Sequence, residues 1–245
     1  MTKISFLIAG VQKGGTTALW HFLSQSSDLA FGRQKELHFF DDESVDWVKP
    51  DYDRLHESFA PDHTGCIKGD ATPIYTYWPP SLERIQNYNP DMKLIVSLRD
   101  PVQRAFSHWR METSRGSETL PFSEAIRVGR ERMNRSGGML GAHRVYSYVE
   151  RGFFAAQLDR MFALFPRSQV LLLRQADLLQ NQARVLDDVA DFLEVRRFSA
   201  AIKQEEIFSH ADQPLQPIAA KDAAYLRQLY LPDLAKLKDE YGVVL

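Results

Sequence analysis

Lys3 to Trp20 reads KISFLIAGVQKGGTTALW, and the parsing of this stretch decides the fold. Ile4 to Ala9 is a short apolar run rich in β-forming side chains, the length of one strand buried on both faces. Gly10 to Gly15 interrupts it, and Thr16, Thr17, Ala18, Leu19 and Trp20 restart the chain as a helix. A strand, a glycine-rich turn and a helix opening make a site for an anion. Glycine lets the backbone approach a ligand closely, and the first helical turn offers unpaired N–H donors at the positive end of its dipole.

Aligned on the phosphate-loop pattern G-x-x-x-x-G-K-[ST], the segment runs Gly10, Val11, Gln12, Lys13, Gly14, Gly15, Thr16, Thr17. Thr16 stands where the pattern has its lysine, and Lys13 lies three positions earlier, inside the loop. The usual lysine reaches the outer phosphates of a nucleoside triphosphate. A lysine moved back along the loop approaches a different bridging oxygen. The plainer reading is an ordinary strand-to-helix turn with a surface lysine, and the motif alone leaves both open.

The rest of the chain sets the frame. Its 245 residues, 44% hydrophobic and 25% charged, suffice for one α/β domain over 1–245 with a substantial core. A net charge of -2 and a pI near 6.4 argue against a broad nucleic-acid surface but leave room for a local anion pocket. Cys66 is the only cysteine, so no internal disulfide is expected. No leader-like segment or membrane-length apolar run is seen, so the expectation is a cytoplasmic protein without a membrane span.

Strands are expected at Leu29–Gly32, Cys66–Gly69, Lys93–Leu98 and Gln169–Leu173. Helices are expected at Tyr52–Phe59, from Pro79 to Tyr88, and over Pro121–Met133, Tyr146–Phe165 and Leu186–Leu193. A last helix over Lys221–Tyr241 is expected to break near Pro232. This alternation predicts a three-layer domain of the P-loop type, a mainly parallel central sheet flanked by helices. In the stretch from Arg33 to Asp41, Glu36 and His38 alternate with Leu37, which in an extended segment puts them on one side. Asp41, Asp42 and Glu43 lack histidine partners at ligand spacing and read as an acidic cluster at a helix start. Asp100 and Pro101 read as a cap and first helical residue, which places Arg99 in the turn after a strand, where open α/β sheets bind ligands. Arg104, Ser107 and His108 share one helix face, which is either part of a ligand site or a polar surface, and Arg127, Arg130, Arg132 and Arg135 read as a solvated face. Residues 134–141, NRSGGMLG, are a candidate lid.

Four separated stretches, KGGTTAL at Lys13, KELHFFD at Lys35, DATPIYTYWP at Asp70 and LRDPVQRAFSHW at Leu98, resemble in order the sulfotransferases that use 3′-phosphoadenosine 5′-phosphosulfate (PAPS). The resemblance is nearest to the branch of heparan sulfate O-sulfotransferases and their bacterial relatives. It implies that Lys13, Gly14, Gly15, Thr16 and Thr17 hold the 5′-phosphosulfate, and that Arg99 and Ser107 hold the 3′-phosphate. It implies Glu36 as the base that takes the proton of the acceptor hydroxyl and Lys13 as the electrostatic stabiliser; should Glu36 not be the base, His38 or His108 is the next candidate. No metal is implied, since lysine and backbone amides can meet the charge that Mg²⁺ meets in kinases.

Ala71 stands where relatives acting on heparan sulfate carry a lysine, and their cysteine-bridged loop is missing. The resemblance therefore carries over the reaction, with a small-molecule, lipid or carbohydrate hydroxyl as acceptor. His38, Phe39, Tyr75, Tyr77, Trp78, Phe106 and Trp109 could line its pocket or fill the core. Two other functions compete. A P-loop nucleotide kinase needs its lysine where Thr16 stands, and a non-catalytic nucleotide-binding module has no use for Glu36.

Overall fold

The computed structural model describes residues 3–60, 65–135, 141–198 and 217–245. The apolar run after Lys3 forms β1 (Phe6–Gly10), buried along its whole length, and the chain turns at Gly15 into α1 (Thr16–Leu23). There follow β2 (Leu29–Phe31), α2 (Asp53–His56), β3 (Ile67–Asp70), α3 (Ser81–Tyr88) and β4 (Lys93–Leu98). Next come α4 (Pro101–Ser114), α5 (Phe122–Arg135), α6 (Ala142–Tyr146) and α7 (Phe154–Leu164). The chain closes with β5 (Val170–Arg174), α8 (Gln175–Gln180), α9 (Gln182–Leu193) and α10 (Ala220–Tyr241). Among the described residues no helix is long and apolar enough to cross a membrane.

The strands form one sheet in the order β2-β3-β1-β4-β5, with every pair parallel. β1 lies between β3 (Leu7 beside Asp70) and β4 (Phe6 beside Lys93). Because all strands run one way, the segments after Gly10, Asp70 and Leu98 leave the same edge. The crossovers also reverse direction beside β1, the place where open α/β sheets bind ligands.

The described residues divide into two compact units. The first holds the chain to Leu98 and resumes at Leu158. One layer of its core packs Phe6, Ile8 and Ile95 from the sheet against Leu19 and Phe22 of α1 and Val185, Leu186 and Val189 of α9. The second unit runs from Arg99 to Gln157 and takes in α10. Val102 and Ala105 of α4, Phe122 and Ile126 of α5, Tyr148, and Leu226 and Tyr230 of α10 form its core.

Several sequence expectations are corrected in the second unit. Arg104 and His108 do not form a polar surface; both are fully buried, and Arg104 donates to the carbonyl of Tyr148. The α5 arginines keep their expected solvated face, with Arg127 and Arg130 exposed and Arg132 half-buried, but each of these three is ion-paired. Arg127 pairs with Asp222 at 2.7 Å over the Tyr225 ring, Arg132 pairs with Glu118 at 2.7 Å, and Arg130 meets Glu150. The single helix expected over Tyr146–Phe165 is broken. The carbonyls of Tyr148 and Val149 accept from Arg104 and the Tyr230 hydroxyl, and the chain tightens into a 3-10 turn over Glu150–Gly152 in which Gly152 N–H donates to the Val149 carbonyl at 2.9 Å. Asp233 then restarts the helix by accepting from the amides of Phe154 at 2.8 Å and Ala155 at 3.1 Å. α10 continues through Pro232, with Tyr230 and Leu237 on either side fully buried. Residues 136–140 of the candidate lid lie outside the described residues.

Candidate active site

The glycine loop is built to bring backbone close to a ligand. A Cβ on Gly14 would lie 2.2 Å from the Ser97 carbonyl oxygen, so only glycine fits there. Gly15 takes φ 88 to swing the chain into α1, and Lys13 is itself left-handed at φ 69. The turn is braced from β4: Val11 N–H donates to the Ser97 carbonyl at 3.1 Å, and the Ser97 hydroxyl donates to the Gly14 carbonyl at 2.7 Å. The first helical bond of α1 runs from Leu19 N–H to the Gly15 carbonyl at 3.1 Å. The amides of Thr16, Thr17 and Ala18 therefore precede any intrahelical acceptor, which leaves them as donors for an anion.

The base loop is built by other means. Glu36 and His38 do lie together, but not because the segment is extended. Both adopt left-handed backbone, φ 64 and φ 53, and this brings His38 Nε2 to 3.5 Å from Glu36 Oε2. Lys35 contacts the other Glu36 oxygen. Burial alone would raise the Glu36 carboxyl, but the hydrogen bond from His38 and the charge of Lys35 outweigh it and bring it down to about 2. On the far side of the ring, His38 Nδ1 lies 3.0 Å from Asp41, which is fully buried. The Asp41 bond, then the Glu36 bond, push His38 up to about 9. At neutral pH this pair is a carboxylate beside an imidazolium. His38 is then a donor, and Glu36 alone can take a proton.

The acidic run after His38 does not open a helix. Asp41 holds His38, Asp42 accepts from the Ser44 amide and hydroxyl, and Glu43 takes Trp78 and Arg84. Phe39, Tyr75 and Trp78 are core residues, with Phe40 seated among Phe39, Tyr75 and Tyr88. His108 is fully buried beside Glu112 and the Tyr148 ring. Asp100 caps α4 as expected, accepting from Gln103 N–H at 2.8 Å. Arg99 directly follows β4, and burial lowers the affinity of its guanidinium for a proton. Ser107 sits half-buried on α4. Phe106 and Trp109 stack at 5.5 Å within the second unit.

Sequence reading missed the residues behind Glu36. Asp70 and Thr72 bind the backbone of the base loop, and Asp41 holds His38. The run DATP was visible, but nothing in it says that its carboxylate faces a loop more than thirty residues away.

The family model described as the sulfotransferase domain matches residues 3–210. The chain belongs to the sulfotransferase family. It is 32% identical over 195 residues to human heparan sulfate glucosamine 3-O-sulfotransferase 3B1, covering 78% of this chain and 46% of that protein. This sulfotransferase thus spans about half the length of the curated relatives it matches. A solved sulfotransferase from Alicyclobacillus acidocaldarius superposes with a TM-score of 0.82 at 25% identity, over 100% of this chain and 98% of that one. A mouse sulfotransferase solved with PAP shares the fold at a TM-score of 0.50 and 10% identity, over 96% of this chain and 65% of that one.

Proposed function

We propose that this sulfotransferase moves a sulfuryl group from PAPS to an acceptor hydroxyl by in-line transfer. The observation that carries this reading is that the first unit holds two loops of complementary chemistry. One is a glycine cradle with its lysine inside the turn; the other presents a carboxylate held ionised beside a protonated histidine.

In this reading the acceptor oxygen attacks sulfur while its proton passes to Glu36. The bond from sulfur to the bridging oxygen breaks, and 3′-phosphoadenosine 5′-phosphate (PAP) leaves. Lys13, with the amides and hydroxyls of the loop from Gly14 to Thr17, meets the charge that grows on the departing phosphate. Arg99 and Ser107 are assigned to the 3′-phosphate, as the family's pattern implies; a guanidinium offers the paired donors a phosphate needs. A carboxylate held near 2 is a weak base, so the arriving acceptor hydroxyl has to loosen the hold of His38 and Lys35 on Glu36.

A metal-assisted kinase reading is weaker. Asp70 ends the strand next to β1, where such enzymes hold Mg²⁺ through a carboxylate, yet both of its oxygens are filled by protein donors.

The name of the human relative points to a carbohydrate acceptor. Ala71 is buried where relatives acting on heparan sulfate carry a lysine, so a less anionic acceptor suits this chain better. The test is incubation with PAPS and a panel of carbohydrate, lipid and phenolic hydroxyl compounds, read by intact mass. Gain of one SO₃ unit with matching PAP release is expected. No gain across the panel, with phosphoryl transfer to the same compounds when ATP and Mg²⁺ replace PAPS, would overturn the reading.

A further inference from the structure

Asp70 is the last residue of β3, fixed in the sheet beside Leu7 and 2% exposed. Its Oδ1 accepts from the amides of Ala71 at 2.7 Å and Leu37 at 3.2 Å. Its Oδ2 accepts from the hydroxyls of Thr72 at 2.8 Å and Tyr75 at 3.1 Å. The Thr72 oxygen in turn accepts from His38 N–H at 3.4 Å. The two amides that follow Glu36 are thus held, one directly and one through Thr72, by a single carboxylate. These are the amides of a segment in which Glu36 and His38 are both left-handed. Side-chained residues avoid that backbone unless their surroundings impose it.

We propose that Asp70 is a positioning residue for sulfuryl transfer: it holds the backbone on either side of Leu37 so that the Glu36 carboxylate and His38 imidazole keep their mutual aim. This rests on the reading of Glu36 as the base. A buried carboxylate with four protein donors is a stiff anchor, and its acceptors match two N–H and two O–H groups at once. An asparagine offers one acceptor and one donor side, so it cannot satisfy both sets in the same way.

The tests are Asp70→Asn, Thr72→Val and Thr72→Ser, each alone and with Glu36→Gln. Hydrogen exchange is read at Leu37 and His38, and PAP release from PAPS is read with the acceptor selected by the mass screen. Asp70→Asn is expected to speed exchange at those two amides and to lower kcat about 10²-fold, the cost of a small misplacement. PAP affinity should stay within about twofold, because the donor loop is untouched. Thr72→Val removes both the bond to Asp70 and the acceptor of His38 N–H, so it should lower kcat by about fivefold or more, and Thr72→Ser should restore it. In the Glu36→Gln background, Asp70→Asn should cost less than about twofold more. Equal losses in both backgrounds, or unchanged exchange at Leu37 and His38, would overturn the proposal. If Asp70→Asn does not fold, the Thr72→Val and Thr72→Ser pair decides it alone. Full turnover in Glu36→Gln itself would instead strike the reading of the base.

Discussion

The two loops of the first unit reach unusual backbone by opposite routes. The donor loop relies mainly on glycine: Gly14 because a Cβ would meet the Ser97 carbonyl, Gly15 because its φ is 88, with Lys13 left-handed beside them at φ 69. The base loop has no glycine at its left-handed positions. It forces Glu36 and His38 into that region and holds them with carboxylates from β3 and from Asp41. A loop shaped by glycine carries its geometry in its own residues. A loop shaped by distant side chains leaves almost no local trace.

The strongest way to break this contrast is to remove one functional group from each loop. Glu36→Gln should lower turnover by about 10²–10⁴-fold while PAP affinity is unchanged, since the base touches the acceptor only. Lys13→Ala should lower turnover by about 10²–10³-fold and weaken PAP as well. Steady-state kinetics with PAP titrations would separate the two. Matching losses of turnover and PAP affinity in both variants would dissolve the division of labour.

Gly14→Ala tests the donor loop's dependence on glycine. The added Cβ meets backbone that cannot move aside, so a loss of about 1–3 kcal/mol in urea unfolding is expected, together with loss of PAP binding. Wild-type stability and binding would mean that the loop tolerates a side chain.

A smaller effect sharpens the base loop. His38 holds its proton to about 9 in the fold against an ordinary 6.5. Its stabilising contribution is therefore complete below 6.5 and is lost as pH rises through about 9. Asp41→Asn removes the largest cause of that shift, so the basic limb of the turnover profile should move to lower pH. The ring is half exposed and solvent screens the pair, so the accompanying fall in melting temperature should be small. A profile with the same basic limb in both proteins would remove His38 from the account.

The same contrast explains what the sequence made legible. The first strand, the glycine turn and α1 could be read because run length, glycine spacing and restart are local properties. Lys93–Leu98 and the Asp100 cap were legible for the same reason. Arg104 and His108 stayed open between a ligand site and a polar surface because burial of a charge depends on partners far along the chain, such as the Tyr148 carbonyl. Glu36 was found through its motif, yet the reason it meets His38 was not. That reason lies in left-handed backbone held from β3.

The central claim is that the donor is a 3′-phosphorylated adenylate taken up by Lys13 and its loop, with Arg99 on the 3′-phosphate. Calorimetric titration of PAP and 5′-AMP into wild type and Arg99→Ala, in EDTA, tests it most directly. Wild type should bind PAP tighter than AMP by about 1.5–3 kcal/mol, and Arg99→Ala should erase most of that difference while leaving AMP unchanged. Equal affinity of wild type for both nucleotides, or equal loss of both in Arg99→Ala, would contradict it.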